Sequence, residues 1–152
     1  MNTLFRIPSF IVYIAAINLA SSLAVPARAD VVTDWNNAAL DAIRSNNTAP
    51  PIASRALATL HVSIYDAVNG IARTHEPYLV QSAVQASASR EAAASAAAHS
   101  ALVSLFPANA SSFDALHAAI LATIPNGSRK AAGVKFYVNG KLVGGLLVMK
   151  RR

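Results

Sequence analysis

The sequence predicts an all-α fold, a bundle of four to five short helices, and three observations carry that expectation. Apolar residues recur at spacings of three and four in several separate stretches. Prolines, glycines and Asn/Ser clusters divide those stretches at short intervals. Hydrophobic residues make up 54% of the 152-residue chain and cysteine is absent, so a packed core rather than a disulfide framework or a thiolate metal site must hold it together.

In chain order, Thr33 is suited to cap a first helix whose stripe is Val32, Trp35, Ala39, Ala42 and Ile43, with Asp34 favourable at its positive end. Ser45-Asn46-Asn47-Thr48 ends it. The stretch Pro50 to Gly70 is a second helix of about five turns, entered through Pro50-Pro51 and stopped at Gly70. Its apolar residues are Ile52, Ala53, Leu57, Leu60, Ile64, Ala67, Val68 and Ile71, and its other side carries Ser54, Arg55, Thr59, His61, Tyr65 and Asp66. That polar side reads either as ordinary hydrogen-bonding groups of a core helix or as the wall of an active site. Ile71 to Gln85 has no helical period and reads as an extended connection, with Tyr78 and Leu79 packed down on the helices.

Ser87-Ala88-Ser89 starts an alanine-rich helix, Arg90 to Phe106, closed by Pro107. Ser111-x-x-Asp114 has the form of a capping box for a fourth helix with Phe113, Leu116, Ala119, Ile120 and Ala122 to Thr123 on its apolar face, ended by Pro125-Asn126-Gly127. In the tail, Val134, Phe136 and Val138 alternate before the hairpin signal Asn139-Gly140, whereas Leu142 to Val148 suits a helix equally. The local pattern does not choose between helix and hairpin for residues 134–149.

Met1 to Ala29 has the organisation of a secretory signal: Arg6, the apolar run Phe10 to Leu19, and Ala27-Arg28-Ala29 before a cleavage point at Asp30. An uncleaved anchor is the rival, because Ile7 to Ala27 carries no charge. Export to the periplasm or the extracellular space is the expectation. The remaining 123 residues suffice for one modest core. The net charge of +6 belongs to the end of the chain: Asp30 to Ser128 has four basic and seven acidic residues, and Arg129 to Arg152 has seven basic and none acidic. Nucleic-acid binding is not expected, since aromatic residues do not interleave with the charges. Weak contact of the basic tail, 135–152, with an anionic surface is compatible with its composition.

Five blocks taken together, TDWNNAALDAIR, PPIASRALATLHVSIYDAVNG, HEPYLV, ASREAAASAAAHSALVSLFP and IPNGSRKAAGV, resemble the amino-terminal helical region of the vanadium-dependent haloperoxidases, relatives of the type 2 phosphatidic acid phosphatases. The resemblance runs from about Val31 to Val134, within a helical domain at 30–134, and rests on the order and spacing of the blocks. It implies helical bundles and a tail that continues as a helix; Tyr137-Val138-Asn139 departs from that continuation.

Complete members of that family hold vanadate or phosphate with Lys-x6-Arg-Pro, Ser-Gly-His and Ser-Arg-x5-His, a set of cations and imidazoles suited to a multiply charged oxyanion. Arg-Pro and Ser-Gly-His do not occur here. Ser128-Arg129 echoes the third block, but the histidine position falls on Lys135, which is no imidazole ligand. The same residues fit the amino-terminal pattern Ile-Pro-x-Gly-x-x-Lys-x-x-Gly through Ile124, Pro125, Gly127, Lys130 and Gly133. No catalytic, cofactor-binding or metal-binding residue is therefore assigned, and vanadate is implied only for complete family members. His61, His75, His99 and His117 are not spaced as a metal pair, and Asp66, Glu76 and Asp114 would have to join them from distant positions. No Gly-x-Ser-x-Gly elbow is present.

The resemblance implies a truncated haloperoxidase- or phosphatase-like chain without activity alone, or else the scaffold portion of a split enzyme completed by a second chain. Self-association, or pairing with the missing catalytic half, is the expected partnership.

Overall fold

A computed structural model describes residues 30–79 and 85–138. Among the described residues, five α-helices and one short turn of 3-10 helix make up the bundle: α1 (Val31–Ser45), α2 (Pro50–Ala72), α3 (Arg90–Leu105), the turn Pro107–Asn109, α4 (Ala110–Thr123) and α5 (Ser128–Val138). No strand occurs among the described residues, and none of their helices is long and apolar enough to cross a membrane. The all-α bundle expected from the periodicity is the observed fold.

The hub is the alanine-rich α3. It packs against α1, α2, α4 and α5, and every residue from Ala92 to Ala98 is buried. A helix buried on all sides has no polar face, and alanine lets four neighbours approach closely without side-chain entropy to lose. The volume that α3 leaves is filled from outside. Trp35 of α1, Leu60 and Ile64 of α2, and Phe113 and Ile120 of α4 close a main core over Ala94, Ala98 and Leu102. A second, smaller core joins Ala67 and Ile71 of α2 to Ala88, Ala93, Ala96 and Ala97, with Ala132 of α5 against it.

Several boundaries differ from the sequence expectation, each for a packing reason. α1 begins at Val31, with Asp30 as the N-cap and Thr33 already helical, because Val31 and Val32 pack against the main core. Gly70 does not stop α2. The helix runs on to Ala72 and buries Ile71 to 3% exposure, which outweighs the roughly 1 kcal/mol cost of an internal glycine. Arg73 makes the stop instead, in the left-handed conformation (φ 52°, ψ 39°), its amide bonded to the Asn69 carbonyl.

Ser111 and Asp114 form no capping box. α4 starts at Ala110 directly from the 3-10 turn, and Asn109 before it spends its side chain on Asn46 at the end of α1 (2.7 Å). Ser89 does cap α3: its hydroxyl accepts the Ala92 amide at 3.2 Å and donates to Glu91 at 2.9 Å. Residues 134–138 belong to α5, so the alternation of Val134, Phe136 and Val138 is not a strand; Asn139-Gly140 and the apolar run beyond lie outside the described residues.

α5 explains the block IPNGSRKAAGV. Gly127 takes a positive φ of 152° in the turn. Lys130 reaches back to the Ile124 carbonyl (3.4 Å) and Asn126 Oδ1 (3.0 Å). Gly133 sits where a Cβ would lie 2.6 Å from the Ser89 carbonyl oxygen and 2.9 Å from Ala92 Cβ, so its lack of a side chain sets the distance between α5 and α3.

Candidate functional site

The polar side chains of α2 do not converge as an active-site wall would. Arg55 and His61 are exposed, and His61 Nε2 lies 3.1 Å from Asn36 Oδ1 of α1. Thr59 and Asp66, placed by periodicity on the outer side, are buried. Asp66 and its neighbours hold the connection after the helix. One oxygen of the Asp66 carboxylate accepts the Tyr78 amide (2.7 Å) and the other accepts the Leu79 amide (2.9 Å). Asn69 bonds both ways with the backbone of His75, and the Tyr65 hydroxyl donates to the Glu76 carbonyl. The connection is thus gripped by its backbone, and the packing expected of Tyr78 and Leu79 is not seen: they are 62% and 47% exposed beside the partly exposed Tyr65.

A second polar assembly lies inside the bundle. Ser95, the one polar residue in the buried run of α3, is fully buried. Trp35 Nε1 donates to Ser95 Oγ at 3.2 Å, and Ser95 Oγ lies 2.9 Å from His117 Nδ1 of α4. The imidazoles of His117 and His99 stack with centroids 4.9 Å apart, and the edge of Trp35 meets His99. His99 Nε2 donates to Asp114 Oδ1 at 2.6 Å. Burial, followed by the neighbouring His99 charge, pushes His117 below the ordinary imidazole value, with Asp114 acting in the opposite sense.

A serine paired with a histidine invites a hydrolase reading, but its surroundings deny it. Ser95 Oγ has no exposed surface and already receives the indole N–H, so no carbonyl can reach it. The assembly instead satisfies the polar atoms of a large buried tryptophan and of a helix interface.

A groove of about 400 Å³ opens where the starts of α1 and α3 meet the end of α4, with Val31, Ile120, Ile124 and Pro125 as its apolar lining and Asp30, Asp34 and Glu91 as carboxylates. Glu91 is held below the usual carboxylate range by a backbone hydrogen bond and by the Ser89 hydroxyl. Among the described residues no group of three or more His, Asp or Glu could hold a metal ion. Arg129 Nε donates to the Ser87 carbonyl (2.9 Å), Lys130 reaches Ile124 and Asn126, and His99 and His117 are paired with Asp114 and Ser95.

His99 and His117 were separated by the sequence reading because they sit on different helices, yet they are the pair that the fold stacks. The signal was there in part: Ser95 and His99 are four apart on α3 and Asp114 and His117 three apart on α4, so each of these pairs shares one face of its helix. No family model matches the chain, and no curated protein and no solved structure matches it.

Proposed function

We propose that this chain is a non-catalytic helical scaffold, the counterpart of the amino-terminal region of haloperoxidase- and phosphatase-like proteins, and that it has no haloperoxidase or phosphatase activity alone. The observation that carries the reading is the grip of Tyr65, Asp66 and Asn69 on residues 75–79. The polar chemistry of the longest helix is spent on fixing a connection that presents Tyr78 and Leu79 outward, not on collecting groups around a substrate. The blocks that carry the resemblance also meet in space. IYDAVNG holds HEPYL, and the Ser89 amide at the start of the alanine-rich block bonds to the Arg129 carbonyl of SRKAAG.

The outward Tyr65, Tyr78 and Leu79 favour a second reading, in which the scaffold belongs to a split enzyme and that surface meets a separate catalytic chain. Export through the leader Met1 to Ala29 belongs to both readings, and an intact mass beginning at Asp30 in exported material is the expected result.

The purified chain, given vanadate, hydrogen peroxide and bromide, is expected not to halogenate a test acceptor, and given a phosphomonoester not to hydrolyse it. Turnover that disappears on Arg129→Ala or Lys135→Ala would overturn this reading. Coding sequence directly downstream that carries Lys-x6-Arg-Pro, Ser-Gly-His and Ser-Arg-x5-His in any frame would select the split enzyme.

A further inference from the structure

We infer that the Ser95–His117 hydrogen bond is an acid-released latch holding α4 on the α3 hub. An indole N–H only donates, so Ser95 Oγ accepts from Trp35; in the latched form its own hydroxyl proton goes to His117 Nδ1. That needs a neutral His117 with its proton on Nε2. Protonation converts Nδ1 into a donor, and the fully buried Ser95 then faces two donors while its own hydroxyl proton loses this acceptor.

The same proton places a positive charge against a second imidazole. The titratable groups that act on His117 are His99 on α3, stacked at 4.9 Å, and Asp114 on its own helix, while the uncharged indole of Trp35 on α1 meets Ser95 and His99. Glu91, one turn before Ser95, belongs to the groove with Asp30 and Asp34. Asp114 is already engaged with His99, so the charge arriving on His117 meets repulsion across the stack before it meets a partner.

The direction of the pH effect follows from linkage. The folded value of His117 lies below its ordinary one of 6.5, so the unfolded chain takes up this proton first on acidification. The latch contributes its full stability above that value and loses it as pH falls through it toward the depressed folded value. Release of α4 uncovers Phe113 and Ile120 together with the surface of α3 beneath them.

The chain contains one tryptophan, and it is a member of the assembly, so its fluorescence reports on the latch directly. Titration of the full chain from about pH 8 to about pH 4 is expected to give a reversible change in Trp35 emission with a midpoint below the ordinary imidazole range, accompanied by binding of a hydrophobic dye. His117→Gln, whose amide can bond to Ser95 without titrating, is expected to remove that transition and leave the neutral spectrum in place. His99→Gln is expected to keep the transition and move its midpoint upward. Proton NMR of the unsubstituted chain makes the test independent of variant folding: the Trp35 Nε1 proton is expected to shift with the same midpoint as the His117 ring. A transition that survives His117→Gln, one that vanishes with His99→Gln, or an indole proton that ignores the His117 titration would each overturn the assignment.

Discussion

Asp66 shows how much one side chain can decide. It is 1% exposed and holds two backbone amides of the connection after α2. Asp66→Ala leaves those amides without their acceptor, at about 1–3 kcal/mol for each that stays buried, and is expected to lower the urea midpoint of the chain clearly. Asp66→Asn keeps one acceptor oxygen and turns an amide N–H₂ toward the other donor, so it is expected to fall between wild type and alanine. Equal stability of all three would mean that the connection is held by other contacts. The sequence placed Asp66 on the outer side of α2 because periodicity counts side chains and not the use a later segment makes of them. A carboxylate whose partners are amides twelve and thirteen residues away leaves no local signature. The stacked histidines escaped for the same reason, their meeting being a property of the angle at which α3 and α4 cross.

At the scale of elements the pattern was more legible. The four helices expected between Val32 and the tail are present, and the breakers Pro50-Pro51, Pro107 and Pro125-Asn126-Gly127 lie where one helix gives way to the next. The ends moved where burial overruled a local preference, as with Ile71 beyond Gly70, or where a distant partner captured a capping residue, as with Asn109 and Asn46. Gly133 offers a test of packing against propensity. Alanine is the better helix former by about 1 kcal/mol, but its Cβ would lie 2.6 Å from a carbonyl oxygen of the neighbouring backbone. Gly133→Ala is therefore expected to destabilise by about 1–3 kcal/mol through displacement of α5. A rise in melting temperature would show that α5 does not sit this close to α3.

For the whole molecule, most of the apolar stripe of α2 is covered. Leu60 and Ile64 are buried, Leu57 and Val68 pack at the core margin, and Ile52 at the first turn is 53% exposed. Exposed apolar surface is grouped at the other end of α2, on Tyr65, Tyr78 and Leu79. Three side chains fall well short of the roughly 1,000 Å² that a stable interface buries. The expected association is accordingly weak: sedimentation of the purified chain should show mass rising with concentration, and Tyr78→Ser with Leu79→Ser should reduce it. A monomer at every concentration, with a sharp melt and no dye binding, would rule out self-association by this surface and weaken the truncated-enzyme account.

The burial of α3 on all sides also sets a schedule for the newly made chain. α1 and α2 leave the ribosome first, yet Trp35, Leu60 and Ile64 close over a helix that is synthesised after them. Until Leu105 has emerged, the leading half has nothing to fold around and keeps its apolar faces open to a chaperone. A hub placed in the middle of the sequence thus delays folding until most of the chain has been made, without a separate device.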